Sequence, residues 1–269
     1  MIKQVTAIHG APRSGTTWLG QIFRSQPQVA YRYQPLFSYR FKDRITTESS
    51  AGEIARFLEE LEETDDEFIL QTSKIEEGAQ TAFSERLPPS HLVFKEVRYH
   101  HLIERFLSKV PGMKCIGIVR NPCGVMNSWL STPREFDPEW NPEDEWRDAP
   151  SKNAGRIEEY YGFSKWKELT NAFLDYQHDF KDQFLLVRYE DLVNNPESET
   201  IRLFDFVGLS MHPQVEEFLS SSQKREVNHP DSVFRQPDVK DRWKDQLAPE
   251  IQTAIHDELQ GTRLEQFLH

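Results

Sequence analysis

Cysteine is nearly missing: Cys115 and Cys123 are the two in a chain of 269 residues. That is too few for a disulfide scaffold or a four-cysteine metal site. Cys115 lies in an apolar strand pattern, where a small buried side chain is the expected role. No apolar run is long enough to cross a bilayer. The amino terminus lacks the charged and apolar regions of a secretory signal, with a strand candidate starting almost at Met1, so a cytoplasmic protein is expected. Positive charge is also short, since 32 Lys and Arg face 44 Asp and Glu for a formal net charge of −12. This excludes a nucleic-acid binder working by bulk electrostatics, so an anionic ligand needs a local basic pocket. Repeats, low-complexity tracts and linker-like stretches are absent, so one domain over 1–269 is expected. What remains is an ordinary globular composition, 37% hydrophobic and 28% charged.

Against that plain background one stretch stands out: Gly10-Ala11-Pro12-Arg13-Ser14-Gly15-Thr16-Thr17-Trp18. A short apolar strand candidate, Val5 to Ile8, precedes it, and a helical pattern of Leu19, Ile22 and Phe23 follows. A glycine-bounded turn from strand to helix aims backbone N–H groups and the positive helix end at one point, which suits phosphate or sulfate oxygens. Gly10, Gly15 and Thr17 keep the register of the nucleotide-binding pattern G-x-x-x-x-G-K-[ST], but Thr16 holds the lysine slot and the basic residue is Arg13. An ATP or GTP hydrolase needs that lysine on its β- and γ-phosphates. The loop is therefore an anion cradle of another kind.

Further along, His91 to Val97 reads as a central strand carrying Lys95 and Glu96 to its C-terminal edge, and Lys114 to Arg120 as the clearest parallel strand. Asn121-Pro122 stops that strand and a helix start follows, with Ser128 eight residues beyond Arg120. Arg40, Lys42 and Arg44 read as a solvated edge, and the Glu-rich helix around Phe57 as an amphipathic surface element. Residues 132–153, rich in Pro, acids and tryptophan (Trp140, Trp146), have no period and are expected to be a lid or substrate loop. A long helix is expected over Ala154 to Asp179, then a strand from Phe184 to Arg188 ending in Tyr189. Asn195-Pro196 should start a helix that Gly208 stops, and a last helix should begin at Pro249. Strands alternating with helices predict an α/β fold, a central mainly parallel sheet flanked by helices, with ligands at the C-terminal strand edge.

Taken together these stretches resemble the PAPS-dependent sulfotransferases. Pro12-Arg13-Ser14-Gly15-Thr16-Thr17-Trp18 is similar to the family's 5′-phosphosulfate loop, and Arg120-Asn121-Pro122 with Ser128 to its 3′-phosphate motif. Val187 to Leu192 resembles the tyrosine-bearing strand end, and Arg235 with Arg242-Trp243-Lys244 faintly resembles the nucleotide-closing segment. The resemblance implies a P-loop-like sulfotransferase fold. PAPS is then the co-substrate and PAP the product, with no metal. Ser14, Gly15, Thr16 and Thr17 would hold the 5′ end, Arg120 and Ser128 the 3′-phosphate, and Trp18 and Tyr189 the base, with Arg235 nearby. Arg13 would stabilise charge on the departing phosphate, electrostatically because a guanidinium does not deprotonate.

The acceptor side is less determined. Lys95 resembles the family's lysine beside the transferred sulfuryl. In the cytosolic branch a histidine follows it where Val97 stands here, and in the carbohydrate branch a glutamate precedes a proline where Gln34 stands here. The candidate bases are Glu96, His100 and His101, with Glu96 preferred by position. Arginine in the loop and the Gln34-Pro35 pair lean toward a carbohydrate hydroxyl as acceptor, with other small molecules open. Two rival classes remain: a degenerate P-loop kinase or NTPase, and a PAP- or PAPS-binding protein without activity.

Overall fold

In the computed structural model, which describes residues 2–222 and 241–269, five strands form one parallel sheet in the order β2-β3-β1-β4-β5. They are β1 (Gln4–His9), β2 (Val29–Tyr33), β3 (His91–Glu96), β4 (Lys114–Val119) and β5 (Phe184–Arg188). Between its two neighbours β1 is central, Ile8 lying beside Lys95 of β3 and Ile116 of β4. Helices cover both faces, so the inner strands are continuous apolar runs rather than alternating ones. All six residues of β3 are buried.

One core lies under helix α1 (Thr16–Ser25), where Leu19, Ile22 and Phe23 meet Val93, Ile118 and Phe204. Those three α1 side chains are fully enclosed, which stabilises the fold by about 1.5–3 kcal/mol each. The other core gathers Phe57, Phe94, Phe106, Trp166 and Phe173. From β1 the chain steps outward to β2, returns through β3, then crosses to β4 and β5 on the opposite side. The reversal at β1 opens a crevice at the C-terminal strand ends, where ligands bind in sheets of this kind. The loop after β1 sits at that crevice.

Two expectations change. The helix expected over Ala154 to Asp179 runs only over Phe163–Asp179, and Ile157 is exposed rather than buried. Gly162 sets the start: its φ is 89°, and a Cβ there would lie 2.7 Å from the Arg147 carbonyl oxygen. The 132–153 segment contains short helices at Pro142–Glu145 and Pro150–Asn153, and it buries Phe136 and Trp146 in the second core. Trp146 stacks on Phe163 with centroids 5.7 Å apart, so this tryptophan is packing rather than a ligand platform. The helices Pro196–Val207, ended by Gly208 in the left-handed region, and Pro249–Leu259 form as their cap residues predict.

Candidate active site

The loop after β1 is bent by two left-handed residues, Arg13 at φ 72° and Gly15 at φ 90°. Glycine suits the second; at the first an arginine holds a conformation that costs about 1–3 kcal/mol, a strain concentrated at functional sites. Gly15 has a further reason to lack a side chain, because a Cβ would meet the Tyr189 ring at 2.4 Å. The turn closes with the Ser14 N–H donating to the Ala11 carbonyl at 3.1 Å. Ser14 Oγ is enclosed and without a hydrogen-bond partner. An unsatisfied hydroxyl in a helix-starting loop is a donor in waiting for an anion's oxygens.

Lys95 reaches this loop from β3. Its Nζ lies 3.3 Å from Thr16 Oγ1 and 3.4 Å from Thr17 Oγ1, and 4.4 Å above the Tyr33 ring. Thr16 stands where nucleotide hydrolases of this loop type carry lysine, so a lysine from the neighbouring strand comes to the same place. Lys95 is 2% exposed, and burial pushes its ammonium down to about 7, with Glu96 and Glu135 holding it up more weakly. A further negative charge beside this lysine would favour its ammonium form.

From the other side of the crevice come Arg120 and Ser128. Arg120 sits just past β4; its Nη1 donates to the Arg13 carbonyl at 3.1 Å, and its guanidinium lies 4.8 Å from the Tyr189 ring centroid. The Trp166 indole N–H fixes the Arg120 carbonyl at 3.0 Å. Asn121 starts the Pro122–Leu130 helix, its Oδ1 accepting from the Cys123 and Gly124 N–H groups. That helix carries Ser128, whose Oγ accepts from Arg13 Nε at 3.1 Å. Trp18 and Tyr189 meet edge to face at 6.5 Å, flanking the loop. Arg13, Ser14, Gly15, Thr16, Thr17, Trp18, Lys95, Arg120, Ser128 and Tyr189 thus converge on one crevice. Arg235 lies outside the described residues.

Two expected residues fall elsewhere. Glu96 points away from Lys95, to the opposite face of the sheet, because successive strand side chains alternate. It is fully enclosed, its Oε1 accepts from the Leu36 N–H at 2.8 Å, and burial pushes its carboxyl up to about 8. Such a group is shut off from an acceptor, which corrects the expectation of a base there. His100 is buried too, its Nδ1 2.9 Å from His9 Nδ1 and its ring against Tyr160 at 4.5 Å. Burial pushes His9 down to about 3 and His100 well below its ordinary value, so both imidazoles stay neutral and structural. His101 is half-buried, with its ring 6.2 Å from Tyr99. Arg40 and Arg44 pair with Asp65 and Glu60 at the surface, a solvated edge as expected.

Five residues near the site carry no sequence motif. Glu135, in the irregular 132–153 segment, places Oε1 3.5 Å from Arg13 Nη1. Arg98, two residues past β3, pairs with Glu159 at 2.9 Å, donates to Gln34 Oε1 at 3.3 Å and lies 4.3 Å over the Phe37 ring. Tyr33, Phe37 and Phe68 form an aromatic group beside Lys95, and Phe37 and Phe68 are exposed. The available signal for Glu135 was a functional loop without a chosen residue; for Arg98 and the aromatics there was no motif.

Among the described residues no group of His, Cys, Asp and Glu is placed to hold a metal ion, and no helix is long and apolar enough to cross a membrane. The model of the sulfotransferase family matches residues 6–213. The chain belongs to that family. Its structure is similar to a mouse sulfotransferase solved with PAP (TM-score 0.59, 14% identity), covering 100% of this chain and 91% of that one. It is also similar to the sulfotransferase domain of a Synechococcus olefin synthase (TM-score 0.54, 17% identity, 92% and 90% covered). A third likeness is to retinol dehydratase in a complex with retinol and PAP (TM-score 0.56, 17% identity, 98% and 83% covered). At these identities the likeness establishes the P-loop-like sulfotransferase fold. No curated protein sequence matches the chain.

Proposed function

We propose that this sulfotransferase moves the sulfuryl group of PAPS to a hydroxyl acceptor by in-line displacement, leaving PAP. The observation that carries this reading is the convergence of Arg13, Lys95 and Arg120, from three separate elements, on a loop with an unsatisfied buried hydroxyl at Ser14. Crevice cations in a chain of net charge −12 call for an anionic ligand with charge at more than one point. PAPS has phosphates at both ends of its ribose. The loop N–H groups, Thr16 and Thr17 take the 5′ end, Arg120 the 3′-phosphate, and the Trp18–Tyr189 pair the adenine. PAP in the solved relatives accords with this.

Arg13 and Lys95 serve the transfer itself. Negative charge grows on the bridging oxygen as the phosphate leaves, and a cation fixed there favours the transition state over the ground state. Lys95 regains its proton when the anion arrives, since a nearby negative charge favours the ammonium. Ser128 holds the Arg13 guanidinium as well as lining the phosphate end.

For the acceptor we infer a hydroxyl compound with an apolar face, a sugar ring foremost. The exposed rings of Phe37 and Phe68 lie next to Tyr33 and Lys95, and such rings stack on the C–H face of a sugar or on an apolar alcohol. Retinol and androsterone in complexes of retinol dehydratase are small-molecule precedents on the same fold.

The test is binding first, then transfer. PAP without metal should raise the melting temperature, by an amount equivalent to about 2.7 kcal/mol at a hundredfold excess over Kd, and ATP with magnesium should not. Labelled PAPS should then pass its sulfuryl group to a saccharide panel or a small-molecule extract. Stabilisation by magnesium-ATP with none by PAP would sink this reading.

A further inference from the structure

If the acceptor is a hydroxyl, something must take its proton, and neither of the enclosed groups at Glu96 and His100 is open to it. Glu159 is also occupied, bound to Arg98 at 2.9 Å and to Arg156 at 3.5 Å, and nearly enclosed. Glu135 differs in the exposure of its side chain and in its partner. Its side chain is 30% exposed, beside an Arg13 side chain that is 24% exposed, so both side chains reach solvent. Only Oε1 is engaged by Arg13; Oε2 has no hydrogen-bond partner and little solvent around it. The surrounding charged and titratable groups come from every side: Arg13 from the loop, Lys95 from β3, Arg98 beyond it, Lys152 from the Pro150–Asn153 helix, and the Tyr161 hydroxyl.

The backbone beneath Glu135 is held. Its N–H donates to the Thr132 carbonyl at 2.9 Å, and its own carbonyl accepts from the Trp129 indole at 3.4 Å. Phe136 next to it packs edge to face on Trp129 at 5.4 Å. A carboxylate with one oxygen on the transfer cation and the other unclaimed is preorganised in the way proton transfer needs.

We propose that Glu135 is the general base for the acceptor hydroxyl; this rests on the sulfuryl-transfer reading above. The acceptor O–H bond breaks and its proton passes to the Glu135 carboxylate. The freed oxygen forms its bond to sulfur as the bond from sulfur to the 5′-phosphate oxygen breaks. The electron pair of that bond stays on the phosphate oxygen, beside Arg13. One ion pair thereby spans both ends of the displacement: Glu135 at the attacking oxygen and Arg13 at the leaving one.

The experiment compares the full-length wild type, Glu135→Gln and Glu135→Asp. Label transfer from PAPS to the saccharide panel or extract is followed across pH, and PAP binding is measured by calorimetry. Glu135→Gln should lower the transfer rate on the order of 100- to 10,000-fold and flatten the acidic limb of its pH profile. PAP affinity should stay within about threefold or tighten, because a charge competing for Arg13 is gone. Glu135→Asp, which keeps a carboxylate on a shorter stem, should retain part of the rate and the acidic limb. Transfer by Glu135→Gln within about threefold of wild type overturns the assignment and leaves the carboxylate as a counter-ion only. A wild type that binds PAP but sulfates nothing overturns the transfer reading, and the base with it.

Discussion

On the proposed reading the site has a donor side and an acceptor side, which meet at Arg13 and Lys95 but are assembled in opposite ways. The donor side is continuous in sequence: Arg13 to Trp18 follow one strand, and Arg120 to Ser128 another. Its backbone makes the site, so few residue types fit and the order of the residues is itself the signal. The acceptor side takes Tyr33 and Phe37 from around the end of β2, Arg98 from beyond β3, Glu135 from an irregular segment and Glu159 from the turn before the Phe163–Asp179 helix. Here side chains alone make the surface, and any fold that brings them together serves. In the proposed assignment, donor chemistry is fixed by local covalent spacing and acceptor choice by tertiary placement.

The largest test of that division is Arg13. Arg13→Ala should lower turnover about 100- to 1,000-fold, the cost of one charge-stabilising donor, while PAP affinity changes only a few-fold. Single-turnover transfer and calorimetry on the same protein separate the two. A loss confined to PAP affinity would move Arg13 from the reaction to the grip. Arg120→Ala should do the reverse, weakening PAP on the order of 10- to 100-fold through a lost charge-assisted contact with turnover at saturating PAPS largely kept. If both variants behaved alike, the donor side would be a single cluster rather than two ends of one nucleotide.

Lys95 gives a smaller, pH-dependent effect. Its free ammonium is pushed down to about 7, and a bound anion restores it, so binding takes up a proton above that pH. PAP affinity should hold below pH 7 and fall by up to about tenfold per pH unit above it. Lys95→Met should flatten this slope and remove the proton uptake seen by calorimetry in buffers of different ionisation enthalpy. An unchanged slope in the variant would show that another group titrates.

How much was legible follows the same line. The sheet, the loop at its centre and the strand-to-helix step after β4 are set by apolar strand runs, Gly10 and Gly15, and Asn121-Pro122, all of which act within a few residues. The helix start at Phe163 was missed because a contact between Gly162 and Arg147, distant in sequence, overrides the apolar period before it. Among Glu96, His100 and His101 the sequence favours Glu96 by its place at the C-terminal edge of β3, and no motif singles out Glu135. Alternation puts the Glu96 side chain on the other face of β3, whereas Glu135 arrives from 40 residues further along the chain to reach Arg13 and the surroundings of Lys95.

Glu96 against Lys95 is accordingly the finest comparison, two adjacent residues with opposite assignments. Burial raises the Glu96 carboxyl from 4.5 to about 8, so between those values the folded chain holds a proton that the unfolded chain has released. The stability this group permits is present below pH 4.5 and is lost as pH rises through 8. Glu96→Gln carries no charge and keeps an oxygen for the Leu36 N–H. Its melting temperature should therefore lie within a few degrees of wild type at pH 5 and exceed it by on the order of 10 °C at pH 8, at about 1.4 kcal/mol per pH unit and roughly 2–4 °C per kcal/mol for a chain of this size. Transfer should stay within about threefold, since the side chain faces away from the loop. A pH-independent melting difference would mean that Glu96 is not protonated by burial, and a large loss of transfer with unchanged melting would return the base to β3.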